Sequence, residues 1–92
     1  MEYLSVKYDS RQSFYGKALI DRKNGEILLI SYETKVAKID KSGKAHLFSA
    51  WDFSQTTLRH VKEFLKQYTP FFIGGKQSIE KLIKEGEIIA EN

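Results

Sequence analysis

Phe14-Tyr15-Gly16-Lys17-Ala18-Leu19-Ile20-Asp21-Arg22-Lys23-Asn24-Gly25-Glu26-Ile27-Leu28-Leu29-Ile30-Ser31-Tyr32 is the stretch on which the fold turns. Phe14 to Ile20 and Glu26 to Tyr32 flank Lys23-Asn24-Gly25, and Asn-Gly supplies the positive φ angles of a tight type I′ turn whose twist suits a hairpin. Downstream, Ser31-Tyr32-Glu33-Thr34 interrupts the apolar pattern, and we read it as a reversal. Asp40-Lys41-Ser42-Gly43 then separates Lys35 to Ile39 from Lys44 to Ala50, with Asp first and Gly last as in a turn built on a type I core. These signals predict an antiparallel meander of about four strands. A fifth can join at an edge, where Tyr3, Ser5 and Lys7 alternate against Leu4, Val6 and Tyr8.

Beyond residue 53 the period changes. Leu58, Val61, Leu65 and Tyr68, with Phe64 beside them, follow the spacing of an amphipathic helix opened by Ser54 as N-cap and closed before Thr69-Pro70. Its stripe needs a surface to cover, and the one-sided apolar face of the meander provides it. Phe71-Phe72-Ile73 is β-prone and is broken by Gly74-Gly75. A short second helix is expected from about Ser78 to Lys84, with Gly86 at C′, and Glu87 to Ala90 can add a final strand. The predicted class is α+β in a single domain spanning residues 1–92: a meander of about four to five strands on one amphipathic helix, with a short second helix and a C-terminal strand.

At 92 residues and 10.7 kDa, one core is all the chain can build. The absence of cysteine excludes disulfides, thiol nucleophiles and cysteine-ligated metal, and fits a reducing compartment. Fifteen basic and twelve acidic side chains give +3. The charge is spread through both halves, which excludes a charged tail and an acidic DNA mimic. No signal-peptide pattern or membrane-length apolar run is present, so a cytoplasmic location, away from membranes, is expected.

Candidate chemistry is sparse. His46 and His60 fall in a predicted strand and helix without a third convergent ligand, so neither metal nor cofactor is expected. His60 borders the helix's polar stripe, where partner contact is the more natural role. Gly74-Gly75-Lys76 precedes a helix but lacks the spacing of a phosphate loop. Ser54, Thr56 and Thr57 read as helix caps, with no activating base or nucleophile elbow around them. Arg59, Lys62 and Lys66 align three cations on one helix face, with Glu63 placed to pair with Arg59.

Twelve aromatic residues exceed what so small a core needs. Phe14, Tyr32, Phe48, Phe53 and Phe64 suit the core. Tyr8, Tyr15, Trp51 and the Phe71-Phe72 pair are harder to bury, and exposed rings suit protein interfaces or nucleic-acid stacking.

Three stretches, residues 8–18, 31–37 and 51–65, resemble a family of small uncharacterised proteins encoded by phages and mobile elements of low-GC Gram-positive bacteria. The resemblance covers about residues 8 to 68. Its most specific part is Trp51, the Ser54-Gln55-Thr56-Thr57 helix start and Arg59-His60. It implies a genomic setting and assigns no residue a role. Together these readings predict a non-enzymatic accessory protein that binds a host protein, a defence nuclease complex such as a CRISPR effector being one partner class. Arg59, Lys62, Lys66, His60, Tyr15 and Trp51 are the candidate contact residues. The alternative is a small nucleic-acid-binding module using the basic helix face, with Tyr15 or Trp51 stacking on bases. Homodimerisation through an edge strand or residues 71–73 is also open.

Overall fold

The computed structural model describes residues 2–8 and 17–91. Their strands are β1 (Glu2–Tyr3), β2 (Ala18–Lys23), β3 (Glu26–Ser31), β4 (Thr34–Ile39), β5 (Ala45–Leu47) and β6 (Ile88–Ala90). They form one sheet in the order β1-β2-β3-β4-β5-β6. The first five pair antiparallel as consecutive neighbours, whereas β6 runs parallel to β5. A parallel neighbour requires a long crossover, and two helices supply it: α1 (Gln55–Tyr68) and α2 (Lys76–Lys84). The fold is therefore the expected α+β meander, with a sixth strand that makes the sheet mixed.

Each hairpin has a local cause. Asn24 and Gly25 take φ 55° and 80°, as the type I′ reading requires. The reversal at Ser31 to Thr34 has the same two-residue span, but Tyr32 and Glu33, not glycine, hold φ 50° and 68°. At the third turn Asp40 accepts through Oδ1 from the Ser42 amide at 2.9 Å and hydroxyl at 2.6 Å, and from the Lys44 amide at 3.0 Å. These bonds, led by the Ser42 hydroxyl, hold the Asp40 carboxyl well below the usual range.

Ala18, Ile20, Leu29, Ala37 and Leu47 sit on one face of the sheet, buried with Val61, Phe64 and Leu65 of α1. The opposite face stays partly open and carries Lys35, Lys38 and His46 among Leu19, Leu28 and Ile30. Ser54 caps α1 by accepting the Thr57 amide at 3.0 Å, and Thr69 ends it before Pro70. α2 starts at Lys76, just before Ser78 as expected, and Lys76 pairs with Asp52 at 3.1 Å. Gly86, at φ 81°, closes α2: its amide reaches Ile83 O and the Glu87 amide reaches Leu82 O, a Schellman ending. Phe71 to Ile73 forms no strand.

The N-terminal segment departs from expectation. Strand pairing stops at the Leu4 amide, which reaches Ala18 O at 2.9 Å, and residues 5–8 leave the sheet to cross α1. The Glu63 carboxylate draws them there. It accepts from the Lys7 amide at 3.1 Å and the Tyr8 amide at 2.9 Å, while Gln67 Nε2 donates to it at 2.6 Å and also to Ser5 O. Glu63 is thus a buried acceptor for the N-terminal segment and not the surface counterweight to Arg59 that helix spacing suggests.

Candidate functional site

Where the β3–β4 reversal meets the start of α1, the surface opens into a cleft of about 450 Å³. Ser31, Tyr32, Thr34 and Val36 line one side, and Ala50, Phe53, Ser54 and Thr57 the other. Local structure explains both walls. The left-handed Tyr32 and Glu33 turn the hairpin sharply enough to place the Tyr32 ring on His60, with centroids 5.7 Å apart and planes at 28°. Opposite, the Phe53 amide bonds Ala50 O at 3.1 Å, and this turn directs the Phe53 ring outward. Tyr32 is 48% and Phe53 85% exposed. Both rings were expected in the core; instead they form the rim.

The floor is polar and buried. Ser31 Oγ lies 2.7 Å from His60 Nδ1 and 3.4 Å from Thr57 Oγ1, and Ser54 Oγ lies 3.1 Å from Thr57 Oγ1. Ser31, Thr57 and His60 are all buried. A serine hydroxyl on an imidazole nitrogen resembles half of a nucleophilic dyad. Two nearby backbone donors are committed elsewhere, however: the Tyr32 amide to Lys17 O at 3.0 Å and the Thr57 amide to Ser54 Oγ. Stabilising an oxyanion needs donors aimed at open space. What the arrangement offers is an apolar slot with hydroxyls at its base and, among the described residues, no charged side chain in its lining.

Of the six sequence-derived candidates, the five that are described do not gather into one site. His60 is wholly buried beneath Ser31 and Tyr32, a placement unlike the partner-facing position expected from the polar stripe. Arg59, Lys62 and Lys66 are each half-buried, and Arg59 buries its Nη2, so the three do not form the fully exposed ridge that the spacing suggests. Lys66 borders a separate groove with Tyr8, Phe71 and Phe72. Trp51 packs half-buried against the core, and Tyr15 lies outside the described residues. Tyr3, Tyr8 and Phe72 join Tyr32 and Phe53 among the exposed rings. Ser31, Tyr32 and Phe53 are the residues that sequence reasoning missed as site residues. The available signal was a reversal without glycine beside the predicted helix start.

His46, the second histidine, has a structural setting: Nε2 meets Asp40 Oδ2 at 2.7 Å, and Nδ1 lies 3.4 Å from Glu91 Oε2. Among the described residues no group of three His, Asp or Glu side chains could hold a metal, and no helix is long and apolar enough to cross a membrane.

Residues 1–81 match a family of unknown function, DUF8033. The chain belongs to that family. The match runs past Pro70 and into α2, further than the resemblance over residues 8–68, so the two-helix crossover is largely within the family's extent. No curated protein and no solved structure matches the chain.

Proposed function

We propose that this DUF8033 protein is a non-enzymatic accessory protein of a phage or mobile element, and that it binds a host protein through the cleft rimmed by Tyr32 and Phe53. The observation that carries this reading is the pair of rings held outward over a slot whose described lining is uncharged. Large rigid rings around a pocket are what concentrate binding energy at protein interfaces. The backbone strain at Tyr32 and Glu33 supports it too, since left-handed non-glycine residues persist where the surrounding structure holds them in place for use. The phage setting and the partner class, a defence nuclease complex such as a CRISPR effector, rest on the resemblance of the three sequence stretches. The nucleic-acid alternative draws less support, because Arg59, Lys62 and Lys66 are all half-buried.

A photo-crosslinking amino acid at position 53, in host cells expressing the protein, identifies the partner. Titration of the purified partner then compares the wild type with Phe53→Ser and Tyr32→Ser. Each substitution is expected to weaken binding by about tenfold or more. Unchanged affinity in both variants overturns the reading.

A further inference from the structure

We propose that the cleft is an anchor pocket for one uncharged, hydroxyl-bearing aromatic ring, the side chain of a tyrosine presented by the partner. The inference rests on the cleft being the contact surface and adds the chemistry of what enters it. The cleft, at about 450 Å³, lies within the size range of side-chain and ligand pockets. None of the eight described residues that line it is charged. A carboxylate, ammonium or guanidinium entering it would lose hydration without a compensating partner. That leaves neutral groups.

The floor selects among them. Ser31 and Thr57, 2% and 4% exposed, both reach the cleft lining. A hydroxyl can donate once and accept twice. Whichever tautomer His60 holds, Ser31 spends one of these positions on Nδ1 and a second towards Thr57, which leaves one for a group in the cleft. A purely aliphatic or benzyl occupant would displace water from these hydroxyls and return nothing. A phenol O–H both donates and accepts, so it pairs with this floor for either tautomer. At the rim, Tyr32 and Phe53 can meet its ring edge-to-face or offset.

Nuclear magnetic resonance titration of the full chain with p-cresol, toluene and p-toluate separates these chemistries. The expected result is that p-cresol shifts resonances of Tyr32, Val36 and Thr57. It should bind about fivefold tighter than toluene, the equilibrium worth of one net hydrogen bond, and tighter still than the anion. Ser31→Ala, which removes the hydroxyl with the position to spare, should reduce p-cresol to the affinity of toluene while leaving toluene unchanged. The wild-type comparison of p-cresol with toluene needs no variant, so it holds even where Ser31→Ala perturbs the buried His60. Equal binding of p-cresol and toluene, preference for p-toluate, or shifts confined to other surfaces overturns the proposal. Such an outcome can occur while Phe53→Ser still abolishes partner binding, so the two readings fail separately.

Discussion

Glu63 is buried, yet its carboxylate has the amides of Lys7 and Tyr8 and the side chain of Gln67 around it. Removing it leaves two backbone donors without this acceptor. Glu63→Ala should therefore cost about 3 kcal/mol, read by urea unfolding; a loss below about 0.5 kcal/mol would show that the N-terminal segment is held by other contacts. Asp40 gives a pH prediction. Its native carboxyl is held low by the Ser42 hydroxyl first, then by His46 and the Lys44 amide. A depressed native value means that the unfolded chain takes up the proton first as acid is added. The contribution of Asp40 is full above the ordinary aspartate range and is lost as pH falls through that range towards the lower native value. Asp40→Asn should thus flatten the decline in stability between about pH 5 and pH 2. Parallel slopes in the two proteins would remove Asp40 from the acid response.

At the scale of elements, the two type I′ hairpins differ instructively. Asn24-Gly25 is a low-strain solution, whereas Tyr32 and Glu33 pay the left-handed penalty, about 1 kcal/mol or more each. Glu33→Gly should raise stability by about 0.5 kcal/mol, the relieved strain less the added entropy of the unfolded chain; a fall in the melting midpoint would contradict this. Gly86→Ala works in reverse, with open space around the new Cβ but φ at +81°, and should cost about 1 kcal/mol. The first hairpin, the Asp40 turn, the cap at Ser54, the stop at Pro70 and the Gly86 ending were all legible, because each depends on one residue's local chemistry. Two features were not. The N-terminal strand is cut short by Glu63, 56 residues from Lys7 and 55 from Tyr8 in sequence, and no local pattern encodes that capture. The direction of β6 is set by how the two-helix crossover returns to β5, which is a property of the whole path.

Across the molecule, the cleft follows from where the sheet, the 48–54 loop and α1 converge. Counting rings was informative: twelve cannot all be buried in 92 residues. Choosing among them failed for Tyr32 and Phe53, since alternation and helical spacing place a residue on a face but do not show what covers it. The same limit applies to Arg59, Lys62 and Lys66, aligned by spacing yet each partly covered. Because the described lining of the cleft is uncharged, partner binding should change little between 50 and 500 mM salt, whereas phosphate contacts would weaken steeply. The most direct test is calorimetric titration of the crosslink-identified partner into wild-type protein and Phe53→Ser at both salt concentrations. The account predicts at least a tenfold loss for Phe53→Ser and nearly salt-independent wild-type affinity. Equal affinity for the two proteins, with binding that collapses at high salt and on Lys62→Glu, would contradict it.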